Sequence, residues 1–236
     1  MIEKYVLVVD TETANSIEYP LPYDFGWAVV DTETGEIMEE ASFLCKEIFL
    51  NEEMMNSAYF AEKVPQYWED VAKGTRKIRT LLTIRKKVRE CMRKYNIHQV
   101  CAYNMGFDKR ATINDTRFVT NNFIKWFFPV KTEFICIWHM ACTSFLNTSE
   151  YINFAKTHGF VSKAGNIQTS AEAAYRYLKN DPDFEESHTG LEDVKIEVEI
   201  MMNCLKTGDE NMKMNPYSVC WRIVQKTNKV MMTLEL

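Results

Sequence analysis

The first strand of the chain is the feature that most constrains its fold. Residues 5–9 form a continuous apolar, β-branched run, which is typical of a buried central strand. The run ends in Asp10-Thr11-Glu12, and alternation along a strand directs Asp10 and Glu12 to the same side. Two carboxylates at the end of a buried strand repel each other and lose hydration, and a hard metal ion held by oxygens relieves both costs. The sequence therefore predicts a metal site at this strand end.

The composition is that of an ordinary soluble protein. Its 236 residues suit one domain with an appendage, and we expect a domain at 1–206 and a linker with a docked tail at 207–236. No stretch is long and apolar enough to span a bilayer, and no charged-then-apolar leader precedes the first strand. Seven scattered cysteines without a CxxC pair favour reduced thiols in the cytoplasm. The net charge of −5 argues against a general nucleic-acid coat, but not against local phosphate contacts.

The segments that follow predict a mixed α/β sheet. Residues 25–30 and 37–44 have the pattern of strands, and the polar, glycine-containing segment 31–36 predicts a hairpin turn between them. This turn repeats Asp-Thr-Glu, and we interpret the second copy as turn chemistry because carboxylates at a hairpin tip are solvated. Residues 118–134 are rich in aromatics and are expected to pack inside, and 134–146 has the pattern of an apolar helix.

A basic helix is predicted at 75–95, where apolar positions fit one helical face. The opposite face carries nine cations: Arg76, Lys77, Arg79, Arg85, Lys86, Lys87, Arg89, Arg93 and Lys94. Such a face is usually a solvated exterior, but it is also what a rail for a nucleic-acid backbone requires. Both interpretations stay open.

Two further acidic residues lie at predicted helix starts. The short strand 99–103 leads into Asn104, a candidate helix cap, and places Asp108 where amide dipoles favour negative charge. Thr189 followed by Glu192 predicts a capping box, which puts Asp193 just inside a later helix. Ser170 is predicted to cap the start of an earlier helix, at 170–178.

Four carboxylates on three elements form a candidate site for two divalent cations. Paired ions about 3.5–4 Å apart clamp the attacking and leaving oxygens of an in-line displacement at phosphorus. His188, on the approach to the last helix, would be a poor magnesium ligand but a good general base. Alone, Asp108 or Asp193 would be an ordinary dipole-complementing residue and His188 a solvated loop residue. Their joint appearance favours the metal site.

The ordered set Asp10-x-Glu12, Asn104-x-x-Phe107-Asp108 and His188-x4-Asp193 resembles the DEDDh 3′–5′ exonucleases over residues 1–205. That family has a ribonuclease H-like fold, here expected as a mixed sheet with an antiparallel three-strand start, flanked by helices. The stretch 169–200 is most similar to exonucleases carried by bacteriophages, which would act in the host cytoplasm. Tyr103 departs from the histidine that many relatives have before the asparagine.

The resemblance implies a role for each residue that matches a family motif. Two Mg2+ or Mn2+ ions would be bound by four carboxylates, and His188 would take the proton from the attacking water. The metal ligands would be Asp10, Glu12, Asp108 and Asp193. Single-stranded DNA or RNA 3′ ends would be the substrate, and a polymerase partner stays unknown. The substrate-binding positions would be Thr11, Thr13, Ala14, Asn15, Asn104 and Phe107.

Other functions and sites stay open at this point. A ribonuclease of the same fold that trims short RNA is the first alternative, because contacts to a 2′-hydroxyl leave no clear sequence signal. A binding module that reuses the fold without turnover is the second. Cys136, His139 and Cys142 form a possible zinc set, although three-residue steps on an apolar helix also fit core packing.

Overall fold

The computed structural model describes residues 1–234 and contains a mixed six-stranded sheet in the order β4-β3-β2-β1-β5-β6. Helices flank the sheet, as the sequence predicts. The strands are β1 (Tyr5–Ala14), β2 (Leu21–Asp31), β3 (Ile37–Cys45), β4 (Lys77–Arg79), β5 (Gln99–Ala102) and β6 (Glu133–Cys136). The helices are α1 (Lys46–Phe49), α2 (Glu52–Met55), α3 (Val64–Lys73), α4 (Leu81–Lys94), α5 (Met105–Val119), α6 (Ile137–Ser144), α7 (Ser149–Thr157), α8 (Ala171–Lys179), α9 (Gly190–Thr207) and α10 (Trp221–Leu234).

The first three strands form an antiparallel meander, which confirms the predicted start of the sheet. In the pairing of β1 with β2, Asp10 lies opposite Gly26 and Glu12 lies opposite Asp24. Strand β5 runs parallel to β1, and β4 runs parallel to β3. Every residue of β2 is buried, as expected for a strand with neighbours on both sides. The carboxylates of β1 therefore lie at the end of a buried strand.

The helix predicted at 75–95 is shorter than expected. Lys77–Arg79 form β4, which pairs with β3, so the chain is extended where the sequence pattern indicated a first helical turn. Helix α4 begins at Leu81, and the Thr80 side chain accepts a hydrogen bond from the Thr83 amide as its cap. Pairing with β3 at the edge of the sheet keeps these residues extended despite their local helical pattern. The cap of α8 by Ser170 is confirmed by its hydrogen bond from Ala173.

Two predictions around residue 134 are also corrected. The helix predicted at 134–146 begins only at Ile137, because Glu133–Cys136 form the edge strand β6. The aromatic segment 118–134 packs inside only in part: Phe127 and Phe128 are buried, whereas Phe123 is 91% exposed. The sequence pattern did not separate these aromatics because the segment has no regular period.

The chain divides into two compact units. The first comprises residues 1–101, 107–133 and 187–195, and the second comprises residues 102–106, 134–186 and 196–236. All five predicted catalytic residues belong to the first unit. The division expected at 206/207 stays a prediction. Among the described residues, no helix has the length and apolar character needed to cross a membrane.

Candidate active site

Three of the predicted catalytic residues form a tight group. One ligand atom each from Glu12, His188 and Asp193 lies within 4.8 Å of the other two. Glu12 and Asp193 are buried, and His188 is half-buried. The end of β1 and the start of α9 thus bring two carboxylates and an imidazole together from distant parts of the sequence.

Asp10 and Asp108 stand outside this group of three. Asp10 lies two residues before Glu12 on β1, on the same side of the strand by alternation. Asp108, in the first turns of α5, accepts a hydrogen bond from the Thr11 hydroxyl at 2.8 Å. Asp10 and Asp108 thus lie on or beside β1 near Glu12, but neither belongs to the group of three.

Burial raises the pKa of two of these carboxyl groups, those of Asp108 and Asp193. Burial raises the pKa of Asp108 to about 7, although the hydrogen bond that Thr11 donates acts in the opposite direction and lowers it. It also raises the pKa of Asp193 to about 7, against a hydrogen bond from the Ser187 hydroxyl at 3.2 Å. Both sites disfavour an uncompensated negative charge, so a bound cation would favour the ionised carboxylates.

The side chain of His188 stacks on an aromatic ring that sequence reasoning missed. The ring of Phe60 lies 3.9 Å from the imidazole, centroid to centroid, with only 9° between the planes. His188 itself has a φ of 54°, which lies in the left-handed region that non-glycine residues rarely occupy. An unusual backbone conformation and a flat aromatic contact together orient this imidazole.

The start of α9 is held by side-chain contacts. The helix begins at Gly190, directly after the predicted cap Thr189, and the Thr189 hydroxyl donates to the Glu192 carboxylate at 2.6 Å. This bond joins the two side chains of the predicted capping box to each other. The hydroxyl of Ser187 is 2.9 Å from that of Thr189, so the residues around His188 are linked to the first helical turn.

An ion-pair network connects the same helix start to the sheet. Arg76 is buried and forms ion pairs with Asp24 on β2 and with Glu192, the latter at 3.1 Å. The fully buried Asp24 carboxylate also accepts a hydrogen bond from the Gly190 amide at 3.0 Å. Arg76 was expected on a basic outer face, and that expectation is wrong because its guanidinium points into this network. The network places the residues that carry Asp193 against β2.

Two glycines permit this close approach. A Cβ built on Gly26 would lie 2.2 Å from the carbonyl carbon of Gly190, a distance that no packed structure tolerates. An isolated glycine within a strand is a known sign of close backbone approach, so Gly26 carried a usable sequence signal. Because Gly26 lies opposite Asp10, the tight contact is directly beside the candidate site.

The predicted substrate-binding positions have different environments. Thr11 and Ala14 are buried, Thr13 is half-buried and Asn15 is exposed. The Thr13 carbonyl accepts a hydrogen bond from the amide of Tyr59, at 3.2 Å. Segment 57–60 therefore runs beside the end of β1, which explains how Phe60 reaches His188.

The remaining two substrate-binding positions lie around the start of α5. Asn104, which immediately precedes α5, has a φ of 72°, so it is not in the extended conformation usual for a helix cap. Phe107 is half-buried, and the guanidinium of Arg110 lies 5.6 Å from the centre of its ring. The Arg110 side chain also donates to the Ile17 carbonyl at 3.1 Å, which ties α5 to the loop after β1.

The possible zinc set does not come together among residues 1–234. Cys136, His139 and Cys142 are all buried, but their ligand atoms do not lie within 4.8 Å of one another. The Nδ1 atom of His139 is 2.8 Å from the carbonyl oxygen of Asn215. Core packing is thus the interpretation that the geometry favours for these residues.

The donor set at the end of β1 fits a divalent cation of the hard class. Such ions take carboxylate oxygens, and Glu12 and Asp193 offer them in a buried setting where burial disfavours isolated negative charge. The imidazole at the edge is a less suitable ligand for magnesium and is better suited to serve as a base.

Comparison with known proteins supports the fold. No protein-family model and no curated protein sequence matches the chain. The nuclease domain of 3′hExo, a DEDDh family member bound to rAMP, aligns with a TM-score of 0.57 at 18% identity, covering 90% of this chain and 96% of that one. The fold is ribonuclease H-like. A full-length 3′-exonuclease aligns with a TM-score of 0.58 at 18% identity over 90% of this chain and 85% of that one. Cell-death related nuclease 4 (CRN-4) aligns with a TM-score of 0.55 at 11% identity over 90% and 66%.

Proposed function

We propose that this protein is a metal-dependent 3′–5′ exonuclease that releases nucleoside 5′-monophosphates from single-stranded ends. The observation that carries the proposal is the convergence of Glu12, His188 and Asp193 within 4.8 Å. Its support is threefold: buried carboxylates, an oriented imidazole and a fold shared with exonuclease domains. DNA is the favoured substrate, and RNA is the alternative.

In this proposal Asp10, Glu12, Asp108 and Asp193 hold two divalent cations, Mg2+ or Mn2+. When bound, such cations lower the pKa of a water and stabilise the charge that develops on the leaving oxygen. The ring nitrogen of His188 that faces Glu12 and Asp193 accepts the proton of the attacking water. Phe60 keeps the imidazole in that orientation through its stacked ring.

The end of β1 binds the terminal nucleotide in the same proposal. Asn15 is exposed and follows the strand end, so it is available to border the 3′-terminal sugar. Glu12 helps hold the terminal hydroxyl, and a base that is unstacked from its neighbour fits a site of this kind. Single-stranded ends are therefore preferred over paired ends.

Two finer points stay predictions. The expected resemblance of residues 169–200 to bacteriophage exonucleases is a prediction about origin, and the scattered cysteines predict a cytoplasmic location. All seven cysteines are buried thiols, which agrees with a reducing compartment.

Digestion of 5′-labelled single-stranded DNA and RNA oligonucleotides, with Mg2+ and with EDTA, tests the proposal. A ladder that shortens from the 3′ end, only with the metal and not when the 3′ hydroxyl is blocked, is the expected result. Digestion of RNA alone would establish the ribonuclease alternative. Binding without any digestion would contradict the proposal and favour a binding module.

A further inference from the structure

Residues 116–132, which comprise the last turn of α5 and the loop after it, expose aromatic side chains. Phe123 is 91% exposed and Trp126 is 54% exposed, and Phe118 is exposed as well. None of these three rings contacts another aromatic ring within the described part of the chain. Single exposed apolar residues are normal on a protein surface, whereas a group of large apolar side chains exposed on one short segment is a candidate interaction site.

The same segment is positively charged. Arg117, Lys125 and Lys131 are exposed and form no ion pair with any residue that the structure describes. Residues 116–132 contain no aspartate or glutamate. In a chain with a net charge of −5, this is a local concentration of cations that attracts an anionic partner.

Helix α4 forms hydrogen bonds to the backbone of this segment. The guanidinium groups of Arg85 and Arg89 donate to consecutive backbone carbonyl oxygens at 2.7–3.0 Å: those of Trp126, Phe127 and Phe128. The ring of Phe127 also stacks on that of Phe25, with 5.2 Å between centroids and 10° between planes. The backbone that carries Trp126 is therefore held in place, which reduces the entropic cost of binding at this ring. Two cations of the predicted basic face, Arg85 and Arg89, thus bind this loop.

We propose that Phe118, Phe123 and Trp126, with Arg117, Lys125 and Lys131, form an aromatic–basic surface that binds single-stranded nucleic acid. Bases stack on aromatic rings whatever their sequence, and cations between the rings contact the phosphates. The choice of nucleic acid as the partner rests on the proposed function and on this charge complementarity. The surface uses none of the residues assigned to catalysis or to the terminal nucleotide, so in this proposal it contacts nucleotides other than the one that reacts.

Equilibrium binding in EDTA tests the aromatic half of this surface. The parent and a Phe123→Ala/Trp126→Ala variant are titrated against a labelled single-stranded oligonucleotide of about 20 nucleotides, followed by fluorescence anisotropy. We expect the variant to bind about 10-fold or more weakly, because each stacked base contributes to affinity. Thermal unfolding of both proteins checks that the variant is folded.

Charge reversal tests the basic half with a matched control. Lys125→Glu/Lys131→Glu is compared with Lys226→Glu/Lys229→Glu, which changes two exposed lysines of α10 and alters the net charge equally. We expect only the first variant to weaken binding and to reduce the salt-dependence slope, by about 0.7 for each phosphate that the variant no longer neutralises. Equal effects of the two variants would overturn the proposal.

Turnover separates this proposal from the proposed activity. The aromatic variant should raise KM for the long oligonucleotide but leave turnover of one of about four nucleotides unchanged. If the parent digests DNA and both surface variants bind like it, the surface is refuted and the nuclease stands. If the parent digests nothing but both surface variants bind the oligonucleotide more weakly than the parent does, the surface stands and the nuclease fails. Loss of self-association in the variants, with DNA binding unchanged, would instead refute the surface and identify an interface between copies of the chain.

Discussion

Asp108 and Asp193 show how a single residue can link the site to stability. Burial raises the pKa of both carboxyl groups to about 7, whereas an aspartate in the unfolded chain titrates near 3.8. Between these two values the folded metal-free protein holds more protons than the unfolded chain, so the free energy of unfolding falls as the pH rises. The stabilising contribution is complete below 3.8 and disappears as the pH passes about 7.

This pH dependence is a testable prediction. Urea unfolding in EDTA, at about pH 5 and about pH 8, is measured for the parent, Asp108→Asn and Asp193→Asn. Because an amide does not ionise, each variant should become more stable relative to the parent at the higher pH. Groups that do not interact with the substituted carboxyl titrate alike in parent and variants, so their effects cancel in the difference. A difference that does not change with pH would show that these carboxyls ionise normally.

At the scale of elements, the start of α9 is fixed by a buried charge. The Arg76 guanidinium lies between Asp24 and Glu192, with a further ion pair to Asp70 at 3.7 Å, and it stacks 4.8 Å above the ring of Tyr67. Breaking a buried ion pair by removing one partner leaves the other charge uncompensated. The position of Asp193 therefore depends on a residue that lies outside the three motifs from which the site was predicted.

Arg76→Met should destabilise the protein by about 3–5 kcal/mol, because Asp24 keeps a buried charge without its cation. Lys77→Met, at the exposed neighbouring position, is the matched control and should change stability by about 0.5 kcal/mol or less. Adding Asp24→Asn to Arg76→Met should recover part of the stability, since the amide oxygen still accepts from Gly190. Urea unfolding measures all three variants. Equal stability of Arg76→Met and Lys77→Met would contradict this role.

The sequence predicted most of these elements, and its failures have physical causes. The antiparallel start of the sheet followed from strand patterns and a hairpin turn, both of which are local signals. Strands β4 and β6 were missed because each is a short edge segment that only its neighbours keep extended. The burial of Arg76 could not be predicted from the neighbouring sequence either, because its partners Asp24 and Glu192 are distant in sequence.

At the scale of the whole molecule, the candidate site was predicted from order and spacing. Glu12, His188 and Asp193 do come together, although their catalytic roles stay predictions. Phe60 was missed because a ring that stacks on an imidazole leaves no spacing pattern. The hydrogen bond between Asp108 and Thr11 could not be predicted either, because the two residues lie on different elements that are distant in sequence.

One comparison tests the central claim most directly: Mn2+ binding by calorimetry and hydrolysis of a single-stranded oligonucleotide, measured side by side on the parent, Asp10→Ala and His188→Ala. We predict that Asp10→Ala abolishes both, because it removes a metal ligand. His188→Ala should bind Mn2+ nearly as well as the parent while turnover falls by about 10²–10⁴-fold, the usual contribution of a general base. Hydrolysis by Asp10→Ala at the parent's rate would contradict the account.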